Sequence, residues 1–101
     1  MKHASAAESR YMARVAALGC VLCRHLGLGP TPCELHHIKE GEGLSQRAPH
    51  WLTVPLCAEH HRGASGLHGL GTKGFYLRYK LEELDLLAFT IERLNCQKQA
   101  A

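Results

Sequence analysis

Residues 33–68 read CELHHIKEGEGLSQRAPHWLTVPLCAEHHRGASGLH, and the rest of the chain is read outward from them. Six of the protein's eight histidines fall here: His36, His37, His50, His60, His61 and His68. They include two doublets, His36-His37 and His60-His61, the second in the order Cys57-x-x-His60-His61. Cys33–Ile38 and Trp51–Leu56 are short and extended in character. Pro55 confines the second of them to an edge position or a strand end. The intervening residues 39–49 are turn-rich, with Gly41, Gly43 and Pro49. Cys57–Arg62 opens a helix that Gly63 and Gly66 stop. The expected order is strand, loop, strand, helix.

Upstream, Ser5-Ala6-Ala7-Glu8 is a capping box, in which hydroxyl and carboxylate satisfy the free amides of a helix start. Met12, Val15 and Leu18 follow at helical spacing up to Gly19, so a helix is expected over about residues 6–18. Arg10 and Arg14 fall on its polar face. Cys20-Val-Leu-Cys23 then forms a knuckle, and residues 24–32 read as a Gly/Pro-rich loop. Downstream, residues 68–74 read as another loop and residues 75–79 as a short helix. A longer helix is expected over about 81–95, with Leu84, Leu87, Ala88, Ile91 and Leu94 as its apolar stripe. The remaining residues read as a polar tail. The expectation is one small α+β domain.

At 101 residues the chain can bury only a modest core, so a metal staple would matter to folding. A formal net charge of +3 permits a polyanionic partner without requiring one. Five cysteines, an odd number, and no apolar leader argue against a secreted disulfide framework and for metal binding in a reducing, cytoplasmic setting. No apolar run approaches the roughly 20 residues of a membrane span.

Two sulfurs at C-x-x-C spacing suit a tetrahedral ion. Cys20 and Cys23, with Cys57 and His60 at matching spacing, make a Cys₃His set for a structural Zn²⁺. Cys33 is the alternative fourth ligand to His60, and Cys96 reads as a free thiol. On a strand, His36 and His37 point to opposite faces and do not easily serve one ion. His61 leaves the helix in another direction than His60, and His68 follows a glycine-bearing turn that can fold back. His3 and His25 read as incidental.

C-x-x-C, then HHI, then PLC-x-x-HH resembles the HNH endonucleases of the ββα-metal group. GEGLSQR, HWLTVPLCAEHHRG and HGLGTKGF resemble the small phage proteins of the recombination-enhancement (Ref) type within it. That extends the likeness to nearly the full chain. It implies a zinc-stapled ββα-metal core over about residues 20–68, with flanking N- and C-terminal helices. By motif it makes His36 and His61 ligands of a catalytic ion and His37 the general base. The family's third ligand position is Ser65 here, which leaves His68 as the replacement. The family's middle Asn is absent, since the one asparagine is Asn95. His50 is the stand-in, orienting His37.

The implied activity is metal-dependent hydrolysis of DNA phosphodiesters. A neutral imidazole is suited to take a proton from water near neutral pH, and a cation offsets charge on phosphate and leaving oxygen. Imidazole ligands favour transition metals, but the family commonly uses Mg²⁺ or Mn²⁺, so the working ion stays open among these and Zn²⁺. Arg47, Arg62, Lys39 and Lys73 are the candidate DNA contacts, with Arg78 and Lys80 behind them. The resemblance also implies dependence on a RecA filament, in a bacterial or phage-infected cell. The rival reading is a non-catalytic zinc module that binds nucleic acid or protein.

Overall fold

A computed structural model of the chain describes residues 3–39 and 49–100, the last three of them by backbone only. Arg47 lies outside the described residues. The described elements run α1 (Ala6–Ala17), α2 (Val21–His25), β1 (Glu34–His37), β2 (Thr53–Leu56), α3 (Ala58–Arg62), α4 (Leu67–Tyr79) and α5 (Glu83–Ala100). This is a small α+β arrangement in which a two-stranded antiparallel sheet is packed among helices.

Helix α1 starts on the expected capping box: the Glu8 amide donates to Ser5 Oγ at 3.1 Å and the Ser5 amide to Glu8 Oε1 at 2.7 Å. It ends where Gly19 adopts φ +75°, a left-handed exit that a side chain resists. A Cβ there would also meet the Thr31 carbonyl oxygen at 2.8 Å. The C-x-x-C knuckle is itself helical. Cys20 caps α2, its sulfur accepting from the Cys23 amide at 3.3 Å.

In the sheet, Glu34 pairs with Leu56, Leu35 with Pro55, His36 with Val54 and His37 with Thr53. A sheet of two strands has only edges, so Pro55 is tolerated. Strand β2 begins at Thr53, two residues later than Trp51, and is buried along its length. Around it lies the main core: Val21, Leu22, Ile38, Val54, Leu56, Phe75 and Leu86. A second cluster, Val15, Leu18 and Leu94 with Tyr11 and Leu35, joins α1 to α5 and the hairpin.

Two expectations need correction. Residues 68–74 are not a loop: they belong to α4, which runs Leu67–Tyr79 and breaks only at Gly71, at φ 75° and ψ 169°. The glycines that mark a loop by composition here serve one kink and close helix packing. A Cβ on Gly66 would meet the backbone of Glu59 and His60, and one on Gly69 the Gly63 carbonyl. The second correction concerns α5. Leu84 and Ile91, placed in the core by periodicity, are 52% and 44% exposed, while Leu86, Leu87, Thr90 and Leu94 are buried. The stripe was misplaced because Thr90 belongs to it: its hydroxyl donates to the Leu86 carbonyl at 2.8 Å, which satisfies the polar group inside the helix. The helix also continues to Ala100 through the residues expected as a tail.

The α3–α4 approach yields a prediction. Gly69→Ala forces the two helices apart and should cost about 1–3 kcal/mol. In a chain this size that appears as a fall of several degrees in thermal midpoint. An unchanged midpoint would show that α4 is not packed this closely.

Candidate functional site

Helix α3 is five residues long and begins where β2 ends. Its adjacent histidines go to two different clusters. On one side, His60 Nδ1 lies 3.7 Å from Cys20 Sγ, 3.4 Å from Cys23 Sγ and 3.4 Å from Cys57 Sγ. The Cys23 and Cys57 sulfurs are 3.8 Å apart. With zinc–sulfur bonds of about 2.3 Å and zinc–nitrogen bonds of about 2.0–2.1 Å, the edges of a tetrahedral site come to about 3.8 Å between sulfurs and about 3.6 Å between sulfur and nitrogen. The four donors therefore stand at the spacing of a Cys₃His centre, and the set suits a metal such as zinc. Cys33 lies elsewhere, with its thiol donating to the Ala16 carbonyl at 3.2 Å. Cys96 is exposed near the end of α5.

Burial, together with the Cys20 and Cys57 thiols, pushes the Cys23 thiol up to about 11. Burial also holds His60 below the usual imidazole range, against the opposing pull of Glu59. Without a cation Cys23 is a neutral thiol and His60 a neutral ring. A metal displaces the thiol protons when it binds. The edge of Tyr79 closes the site over His60, at a centroid distance of 6.0 Å.

On the other side of α3, His61 meets His36 and His68. His61 Nε2 is 3.3 Å from His36 Nδ1 and 3.1 Å from His68 Nε2. Two carboxylates fix which nitrogens face inward. His36 Nε2 donates to Glu83 Oε2 at 2.5 Å, and His61 Nδ1 donates to Glu34 Oε1 at 2.8 Å. A carboxylate accepts and does not donate, so the protons sit on those outer nitrogens. Neutral His36 and His61 are thereby left with lone pairs directed at each other. Such a pair repels unless a proton or a cation lies between them. Edges of 3.1 and 3.3 Å are those of imidazoles on one tetrahedral ion, about 3.3–3.4 Å. Among the described residues the group has three donors, one fewer than a tetrahedral ion takes.

The electrostatics follow from these contacts. Arg62 forks onto Glu34 with bonds of 2.7–3.0 Å, and with His61 it holds that carboxyl down at about 2. Burial pulls the His36 pKa down, opposed by Glu83. His37, on the opposite face of β1, stands apart from this cluster. Its Nε2 is 3.1 Å from His50 Nδ1. Burial first, then His50, lower its pKa. His50 is placed by the turn before β2, where the Thr53 hydroxyl donates to its carbonyl at 3.3 Å.

Neither Glu34 nor Glu83 was singled out from the sequence. Glu34 carried a usable signal, standing two residues before His36 on the same strand and so on the same face. Glu83 is 47 residues from its partner, and no local pattern reveals it. Ser65, where the resemblance looks for a histidine, instead donates its amide and hydroxyl to Glu59 at 2.9 and 2.6 Å. Its carbonyl accepts from Tyr79 at 2.6 Å. It stiffens the turn that delivers His68. Of the cationic candidates, Arg62 is engaged by Glu34, while Lys39 and Lys73 are exposed. His25 stacks on Phe89 at 4.8 Å and joins neither cluster.

Residues 4–95 match the family model described as recombination enhancement, RecA-dependent nuclease. The chain belongs to that family. The description names a nuclease, and with it a nucleic acid substrate, a dependence on RecA and a part in recombination. No curated protein matches the chain. Among the described residues no helix is long and apolar enough to cross a membrane.

The cysteine cluster joins the start of α2 to the start of α3, so a metal there would weld two helices onto the sheet. Cys57→Ser should abolish tight binding of one zinc per chain and lower the thermal midpoint by tens of degrees, as befits a metal contributing on the order of 10 kcal/mol. Metal analysis and thermal denaturation check this together. Equal midpoints for loaded and chelator-stripped protein would remove the structural role.

Proposed function

We propose that the protein is an HNH-type, metal-dependent DNA endonuclease with a ββα-metal core. One observation carries the reading: two carboxylate-oriented histidines and His68 turn bare nitrogens toward a common point, and the same strand presents a separate histidine, His37, at the next position. His36 through Nδ1, and His61 and His68 through Nε2, are the groups that would hold the catalytic ion. Bound there, a divalent ion such as Mg²⁺, Mn²⁺ or Zn²⁺ supplies positive charge against the phosphate and the leaving oxygen.

His37 is the general base. When its Nε2–H donates to His50 Nδ1, its own Nδ1 is left free to take a proton from water. His50 thus fixes both ring orientation and tautomer, the task a carbonyl or amide oxygen performs elsewhere. The low His37 pKa keeps the ring neutral at neutral pH, the form that accepts a proton. Water attacks in line and the phosphate stays on the 5′ side. Glu83 and Glu34 hold His36 and His61 and increase their basicity as ligands. Lys39, Lys73 and Arg62 contact the DNA backbone. Arg62 would pass from Glu34 to a phosphate at small cost, because the guanidinium is exposed. The Cys20, Cys23, Cys57 and His60 centre is a structural zinc. The family description supports a requirement for RecA on the DNA.

The decisive measurement is nicking of supercoiled plasmid across Mg²⁺, Mn²⁺, Ni²⁺ and Zn²⁺, with RecA present and absent. His37→Ala should lower the rate by 10² or more while leaving metal content and thermal midpoint unchanged. Undiminished nicking would remove His37 as the base. DNA binding without cleavage under every ion and with RecA would make the protein a non-catalytic module. A second expectation isolates the carboxylate. Glu83→Gln should weaken binding of the exchangeable ion about 10- to 100-fold in calorimetry. Retained affinity would show that Glu83 does not tune His36.

A further inference from the structure

Trp51 is the protein's single tryptophan, and it follows His50 in the turn that leads into β2. It is 47% exposed. Its ring lies 5.1 Å from that of Tyr11 at an interplanar angle of 51°. Tyr11 is anchored: it packs against the cluster of Val15, Leu18 and Leu94 that joins α1 to α5. The pair is therefore fixed from beneath and open above. The Arg14 guanidinium lies close enough to Tyr11 for its charge to favour the phenolate, against the burial that raises the phenol pKa. An open indole and a supporting phenol thus stand together, one residue from the histidine that holds His37, with Arg14 one helical turn on from Tyr11.

An aromatic face with a cation alongside suits a flat, electron-rich ring tethered to a negative charge. Next to a centre that acts on phosphodiesters, the group of that description is the base of a neighbouring nucleotide. Only an unpaired base offers its face, since in a duplex both faces are already stacked. Sequence-tolerant stacking of this kind is how proteins hold single strands.

We infer that Trp51, braced by Tyr11, is a stacking platform for an unpaired base of the DNA strand being cut. This rests on the nuclease reading above and deepens it by assigning the substrate a locally unpaired strand on the α1 side of the hairpin. Leu77, Leu84 and Ile91, also exposed, are aliphatic and offer no ring, and Tyr76, with Lys80 Nζ 5.9 Å from its ring centre, lies on α4 and not on the hairpin.

The test uses the zinc-loaded full chain carrying His37→Ala, so that DNA is bound without being cut. Trp51 emission is followed as a thymidine oligonucleotide is added, single-stranded or paired with its complement. Saturable quenching by the single strand and much weaker quenching by the duplex are expected. In parallel, Trp51→Ala should lower single-strand affinity about tenfold by anisotropy of a labelled oligonucleotide, Trp51→Phe should recover most of it, and duplex affinity should move less. Unquenched emission, equal quenching by duplex, or full affinity in Trp51→Ala each overturns the platform. If Trp51→Ala fails to fold by circular dichroism, the quenching and the Trp51→Phe affinity decide. The two readings fail separately. Nicking by the wild type without quenching removes the platform alone, whereas quenching with nicking that survives His37→Ala removes the assigned base alone.

Discussion

Everything in the site depends on how a five-residue helix is held. Helix α3 is too short to be stable by itself. It nonetheless places His60 among three cysteines and His61 between two other histidines. Successive residues on a helix diverge by about 100°, so one short element faces two clusters at once. Its orientation comes from the Cys20, Cys23, Cys57 and His60 grouping at one side and from the close backbone contact with Gly66 and Gly69 at the other. If α3 rotates, both clusters open together.

The histidine cluster shows how charge is distributed when three imidazoles converge. Bare nitrogens cannot be packed 3.1–3.3 Å apart without compensation. The protein puts negative charge behind the rings: Glu83 behind His36, and Glu34, itself balanced by Arg62, behind His61. The arrangement favours a cation at the focus. His68 reaches the same point from α4, outside the hairpin and its helix. Helix α5 takes part as well, because its first residue, Glu83, is the one that touches His36. The C-terminal helix is thus a wall of the site as well as a support for the core.

The two faces of β1 divide the work. His36 goes inward to the cluster and His37 goes to the other side to meet His50. Adjacent residues achieve this with no special backbone, since strand geometry alternates side chains. Trp51 and Tyr11 continue the His37 side toward α1. One edge of the hairpin is therefore histidine and aromatic, while the core beneath it is apolar and built around Phe75, Leu22 and Leu86.

Local chemistry alone determined a good deal. The capping box fixed the start of α1, the doublets supplied three of the histidines found in the two clusters, and matching C-x-x-C and C-x-x-H spacings picked out four residues that do lie together. These depend on neighbours within a few residues, where covalent geometry limits the possibilities. Tertiary packing decided the rest. It chose His60 over Cys33 as the partner of the other cysteines, because the Cys33 thiol is turned to the Ala16 carbonyl of α1 while the His60 ring lies among the three sulfurs. It turned a glycine-rich stretch into α4, because glycine there permits a helix to lie against another backbone. It rotated the buried face of α5 onto Thr90 and Leu86, since an internal hydrogen bond removed the cost that periodicity assigns to threonine. And it brought Glu83 across 47 residues to His36, a contact set by the placement of whole helices and by no feature of either segment.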